Sequence, residues 1–218
     1  MTKTILITTG PTREYIDPVR FISNASSGKM GKEIAQAAVK KGFNIIAVQG
    51  VSSDKIESSG KCRVLNVVSA KQMFEAVKKN LKFADIFIGV AAVSDYTPVS
   101  FSKSKIKKNK DIIVLKLKKN PDIIGYAAKH KGGRKIIGFA LETDNMIEYA
   151  KSKLKEKKLD MIVANGVDTI SSGKSKPFLI FKSGKIKELK MSSKKYIAKE
   201  IINEITEAEC NKTGKNRS

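Results

Sequence analysis

The sequence predicts an α/β protein built as a three-layer sandwich, with a mostly parallel sheet covered by helices on both faces. Three observations carry that reading. Short apolar runs bounded by glycine, proline or asparagine recur along the chain, and segments with apolar residues at helical spacing separate them. Two later stretches instead alternate apolar with polar residues, as a half-exposed sheet edge does. The first run, TKTILITTG, ends at Gly10-Pro11 and reads as a buried strand. After a polar loop, Met30, Ile34, Ala37 and Ala38 fall at helical spacing, with Lys40-Lys41-Gly42 as a cationic, glycine-ended stop. FNIIAVQG then returns as a strand, so the opening is a βαβ unit with a right-handed crossover and a parallel pair.

The alternation continues. RVLNVV reads as a strand, 70–81 as a helix, ADIFIGVAAV as a strongly apolar strand, and KIIGFAL and DMIVAN as two more. Of the helices between them, one is expected to start with Asn120 as N-cap and Pro121 at the first helical position. The next is expected to be capped by Thr143, with Met146, Ile147, Ala150 and Leu154 inward. DIIVLKLKK alternates, and PFLIFKSGKIKELK reads as a hairpin around Ser183-Gly184. These give a Rossmann-like sheet an antiparallel extension and a hairpin, either of which can serve as an inter-subunit arm. A last helix runs from about Ser192 to Ala208, so 1–208 form one domain and 209–218 a polar, disordered tail.

Composition narrows the function. The 218 residues carry 43 Lys and Arg against 21 Asp and Glu, a net charge of +22 that draws polyanions without choosing among them. Aromatics are 6% with no Trp, which speaks against a nucleic-acid module. No apolar run approaches the roughly 18 residues a bilayer needs, and the N-terminus has no cleavable signal pattern, so no membrane partner and a cytoplasmic location are expected. Two cysteines without metal spacing and a single histidine leave no metal site and little scope for a His-dependent triad.

Three constellations can carry chemistry. NASSGKMG precedes the first helix, where Ser26, Ser27 and Gly28 fit an anion cradle, although the spacing is neither a P-loop nor G-x-G-x-x-G. GVAAVSDYTP ends the most apolar strand, and Asp95 there is either an Asx turn or a ligand residue that needs a donor if buried. KIKKNK places Lys105 and Lys107 on one face of an extended loop, either solvated or closing over phosphates. Lys153 and Lys157 stand i,i+4 on one helix, a like-charge pair that an anion relieves.

TTGPTREYIDPVRFISNASSGKMG, AAVSDY, KIKK, KNPDII, GFALETDN and DMIVAN, in that order from about Ile5 to Asn165, resemble the phosphopantothenate–cysteine ligase family in its free-standing form. The resemblance implies a flavin-free ligase of coenzyme A biosynthesis. It joins 4′-phosphopantothenate to L-cysteine through an acyl-nucleotide, releasing nucleoside monophosphate and pyrophosphate, with CTP more than ATP as co-substrate and Mg²⁺ riding on the triphosphate. It also implies site residues. Asn24 and Lys105 are catalytic, Lys105 on a mobile flap. Arg20, Asn24, Ala91, Ala92 and Asp95 hold the pantothenate substrate, Arg20 crossing to the neighbouring site of a homodimer. Gly10, Ser26, Gly28 and Gly31 form the phosphate loop. Gly89, Val90, Ala91, Asp95 and Lys105 also touch the nucleotide. So do Pro121, Asp122, Ile123 and Ile124, and further on Phe139, Lys153, Lys157 and Asn165. Between Asp168 and Phe178 the chain reads ISSGKSK and lacks the phenylalanine and asparagine that relatives often carry. The competing readings are a Rossmann-like NAD(P)-dependent oxidoreductase and a basic nucleic-acid-binding protein.

Overall fold

The fold comes from a computed structural model that describes residues 2–108, 111–142, 144–166 and 174–214. Its first half contains β1 (Thr4–Thr9), β2 (Arg13–Tyr15), β3 (Phe21–Ser23), α1 (Lys29–Lys40), β4 (Asn44–Gln49), β5 (Cys62–Asn66), α2 (Ala70–Asn80) and β6 (Ile86–Gly89). Then follow β7 (Tyr96–Pro98), β8 (Leu117–Lys119), α3 (Ile123–Lys129), β9 (Lys135–Glu142), α4 (Met146–Glu156) and β10 (Met161–Gly166). The chain ends with β11 (Lys174–Ser175), β12 (Phe178–Phe181), β13 (Ile186–Glu188), β14 (Ser192–Ser193) and α5 (Lys194–Gly214).

Eight strands form the central sheet in the order β13-β12-β10-β9-β6-β1-β4-β5. The strands from β10 to β5 are parallel, while β12 and β13 add the expected antiparallel extension and hairpin. The apolar runs are continuous because both faces are covered. Ile5, Ile7, Ile86, Ile88, Met161 and Val163 face α1 and α5, whose Ile34, Ala38, Ile197 and Ile201 complete that core. Their neighbours Leu6, Phe87, Ile162 and Ala164 face the other way, onto Met73 and Val77 of α2, Ala127 of α3 and Ala150 of α4. This two-residue alternation makes three layers from one sheet.

Local signals set most boundaries. Ser69 Oγ accepts from Gln72 N–H at 3.2 Å while Gln72 Oε1 accepts from Ser69 N–H at 3.2 Å, a capping box that starts α2. The expected start of α3 is corrected: its N-cap is Asp122, whose carboxylate accepts from Gly125 N–H at 3.0 Å. Asn120 is drawn away, donating through Nδ2 to Ser94 O and through its own N–H to Asp95 O, both at 2.8 Å. Helix α4 begins after Asn145, in the left-handed region at φ 46° with no side-chain cap, and Thr143 lies outside the described residues. Met146, Ile147 and Leu154 do pack inward around Ala150. The alternating stretch 111–119 is a strand only over its last three residues, paired with β7, and Ile112 and Val114 are 77% and 84% exposed. The last helix runs past Ala208 to Gly214. Among the described residues no helix is long and apolar enough to cross a membrane.

Lys187 of β13 clamps the hairpin to α5, donating to Glu204 Oε1 at 2.8 Å and Glu200 Oε2 at 3.0 Å. Burial alone would push the Glu204 carboxyl up, but Lys187 and Lys185 hold it below its ordinary value of 4.5. Folding therefore favours its charged form. That stability is complete above 4.5 and is lost as pH falls through the lowered value. The same glutamates raise Lys187 above the ordinary lysine value, so its share fades only in strong alkali. Between about pH 6 and about pH 3 the wild type is expected to lose more thermal-unfolding temperature than Glu204→Gln. Equal losses in the two proteins would show that the clamp contributes nothing.

Candidate active site

From β1 the chain steps outward to β4 and β5, then returns to place β6 on the opposite side of β1. The resulting switch point leaves a crevice beyond the carboxyl ends of β1 and β6, where open α/β sheets bind ligands. The loops that follow these strands are stitched together. Pro11 bridges Ala92, Ala92 N–H donates to Gly10 O at 3.0 Å, and Ser94 N–H donates to Thr12 Oγ1 at 3.0 Å. Asn24 joins the seam through Nδ2, which donates to Val93 O at 3.0 Å.

Helix α1 points its amino end at the same crevice. Its N-cap, Gly28, has φ +82° and no side chain to spend on the helix. The glycines here make room for protein rather than for ligand. A Cβ on Gly10 or Gly28 would lie 1.9 or 2.5 Å from Ser52 Oγ, and one on Gly31 would lie 2.0 Å from Thr9 Oγ1. What the predicted phosphate loop offers a ligand is therefore the backbone amides of the first α1 turn.

Two adjoining cavities fill the crevice. The larger, 480 Å³, is lined by Gly89, Ala91 and Asp95 on one side and by 121–124, Lys153 and Lys157 on the other. The smaller, 210 Å³, is lined by Ser26, Gly28, Gly31, Val90, Ala92 and Asn165, and the two share Ala91 and Phe139. Most of the predicted site residues are thus brought together. Four line neither cavity: Gly10 lies buried under Gly28, Asn24 sits exposed on the seam, and Lys105 is exposed on the loop before β8. Arg20 is bound to Asp17, with Nε and Nη2 donating to Asp17 Oδ2 at 2.9 and 2.5 Å. Asp95 is exposed, so the penalty expected for a buried carboxylate does not arise.

The lysine pair at the carboxyl end of α4, with Lys157 its C-cap, is already half answered. Lys157 Nζ lies 2.7 Å from Asp122 Oδ2, and Lys153 Nζ donates to Phe139 O at 3.3 Å. Burial would raise the Asp122 carboxyl, but Lys157, the Gly125 N–H and Lys153 hold it low. Lys194, at the start of α5, enters the smaller cavity, where burial and the charge of Lys29 push its ammonium down. Three buried polar atoms that belong to cavity-lining residues, Ser94 Oγ, Asn165 Oδ1 and Ser175 Oγ, have no hydrogen-bond partner among the described residues. Each costs about 1–3 kcal/mol unless a ligand or water completes it. Ser94 lies within the GVAAVSDYTP motif, whereas Ser175 and Lys194 had no motif to mark them; the hairpin β12–β13 carries α5 to α1 and brings Lys194 there. Segment 167–173, which holds most of the atypical stretch before β12, lies outside the described residues. Among the described residues no three acidic, histidine or cysteine side chains converge as a metal site would require.

The profile of the DNA/pantothenate metabolism flavoprotein C-terminal domain matches residues 1–208. The chain is 44% identical over 207 residues to the coenzyme A biosynthesis bifunctional protein CoaBC of Haemophilus influenzae, a match covering 93% of this chain and 51% of that protein. It is 41% identical over 208 residues to CoaBC of Bacillus subtilis, with 93% and 51% covered. The chain thus spans about half the length of the curated relatives it matches. The crystal structure of a CoaBC C-terminal domain superposes with a TM-score of 0.82 at 38% identity, covering 96% of each chain. A Cab2 variant in complex with phosphopantothenate-cysteine gives a TM-score of 0.81 at 19% identity, covering 99% of this chain and 89% of that one, a likeness of fold.

Proposed function

Because this chain belongs to the family of DNA/pantothenate metabolism flavoprotein C-terminal domains, we propose that it is a phosphopantothenate–cysteine ligase acting in coenzyme A biosynthesis. The observation that carries the reading is the two-part crevice, where amides, lysines and unpaired buried polar atoms adjoin the Asn24 seam. A carboxylate is a poor electrophile and must first be activated. The substrate carboxylate oxygen attacks the α-phosphorus of CTP, pyrophosphate leaves, and an acyl-cytidylate forms. The cysteine amine then attacks the acyl carbon, CMP leaves with the bonding electrons, and the amine proton goes to solvent or base. Neither step needs an oxidant, so the residues have only to gather anions, steady an oxyanion and keep water from the anhydride.

The chain's residues suit those tasks. One N–H of the Asn24 amide is taken by Val93 O, which fixes its plane, and we assign the other to the acyl oxygen. The α1 amides, Lys153, Lys157 and Lys194 face the phosphates, and Lys105 approaches from its exposed loop. Mg²⁺ would accompany the triphosphate and offset its charge, and Asp95, which lines the larger cavity, would be the residue to help hold it. A second copy of the chain covers the exposed apolar segment around Ile112, Val114 and Leu117, giving the homodimer in which the partly exposed Arg20 reaches across.

The test is to incubate the protein with Mg²⁺, 4′-phosphopantothenate, L-cysteine and CTP or ATP. Cysteine-dependent CMP release, matched by amide formed, is expected. AMP release instead would overturn the nucleotide assignment, and no release with either would overturn the ligase.

A further inference from the structure

Asp17 lies in the turn between β2 and β3 and is completely buried, an unusual place for a carboxylate. Its two oxygens are saturated with donors. Oδ1 accepts from Val19 N–H at 2.9 Å and Arg20 N–H at 2.8 Å. Oδ2 accepts from the Arg20 guanidinium and from Ile106 N–H at 3.2 Å, 89 residues away in sequence. Arg20 Nη2 closes the ring by donating to Ile106 O at 2.8 Å.

Ile106 is the neighbour of Lys105, in a segment with no regular structure. Of the hydrogen bonds joining described residues 100–108 to the rest of the chain, one runs from Ser102 N–H to Ile16 O, and the others end on Asp17 or Arg20. We infer that Asp17 is a positioning residue that locks Arg20 and the Lys105 loop into one unit, so that the group reading substrate phosphate and the group neutralising the reacting centre move together. This rests on the ligase reading above.

Only a carboxylate can do this. An asparagine would accept on one oxygen and turn its NH₂ toward Arg20 and Ile106, donor against donor. Burial alone would push the Asp17 carboxyl up, but Arg20 and the three N–H groups hold it well below the usual carboxylate range, so it stays charged at any working pH.

The test compares wild type with Asp17→Asn by hydrogen exchange of peptides covering 99–108 and by cysteine-dependent turnover. Exchange there should quicken by about tenfold or more with the core strands unchanged. The kcat should fall by about 10- to 100-fold, while KM for the triphosphate moves less than about threefold because the cleft is untouched. Should Asp17→Asn fail to fold, Ile106→Pro removes the single N–H and leaves the Asp17–Arg20 pair in place; the same two changes are expected. Unaltered exchange at 99–108, or faster exchange with full kcat, overturns the inference. If the wild type shows no turnover, the ligase reading falls instead, and exchange alone decides whether Asp17 holds the loop.

Discussion

Asn24→Ala is expected to lower cysteine-dependent turnover by about 10²- to 10³-fold, the loss typical of removing one oxyanion donor from a prepared site. The side chain is exposed and makes one hydrogen bond, to Val93 O at 3.0 Å. Its removal should therefore cost only about 0.5–1.5 kcal/mol of stability. KM for the triphosphate should hardly move, since the large cleft is built by other residues. Asn24→Asp gives no rescue: it offers no N–H and sets a negative charge against the Val93 carbonyl and the developing oxyanion. A kcat within threefold of wild type in Asn24→Ala would remove this residue from the reaction.

Gly31→Ala should damage both stability and turnover. The added Cβ would fall 2.0 Å from Oγ1 and 2.4 Å from Cβ of Thr9, a short, buried side chain with nowhere to swing. Either β1 or the start of α1 must give way, at a cost of about 1–3 kcal/mol. Displacing that helix end also spoils the amide cradle, so binding of triphosphate should weaken in whatever fraction stays folded. Gly133→Ala is the control, because its Cβ meets nothing within 4 Å. Equal unfolding midpoints for the two variants would contradict the packing described for α1 on β1.

The parallel strands were legible because burial on both faces leaves a continuous apolar run, as in β1, β4, β6 and β10. Caps were less so. Asn120 and Asp122 are both good N-cap residues, and only the pull of Ser94 and Asp95 on Asn120 decides between them. The alternation of 111–119 looked like a half-buried strand, yet among the described residues nothing covers Ile112 or Val114. For the site, most of the ordered motifs converged on one crevice because each of these ends a strand or opens a helix at the same edge of the sheet, while KIKK lies on the loop before β8 and lines neither cavity. Lys194 and Ser175 could not be found that way, since a hairpin far down the chain brings them there. Asp17 did leave a trace: an acid three residues before Arg20, at pairing distance in a tight turn.

The position of β1 in the sheet also governs how the protein is made. Its residues leave the ribosome before those of either partner strand, and Ile5 needs Ile45 on one side and Ile86 on the other before both of its edges are paired. At about 5–20 residues per second, translation leaves the second edge open for roughly four seconds or longer. During that interval the nascent chain carries an apolar strand with unpaired amides and carbonyls, which makes the segment TILITT a natural client for a chaperone and a stretch prone to mispair at high expression.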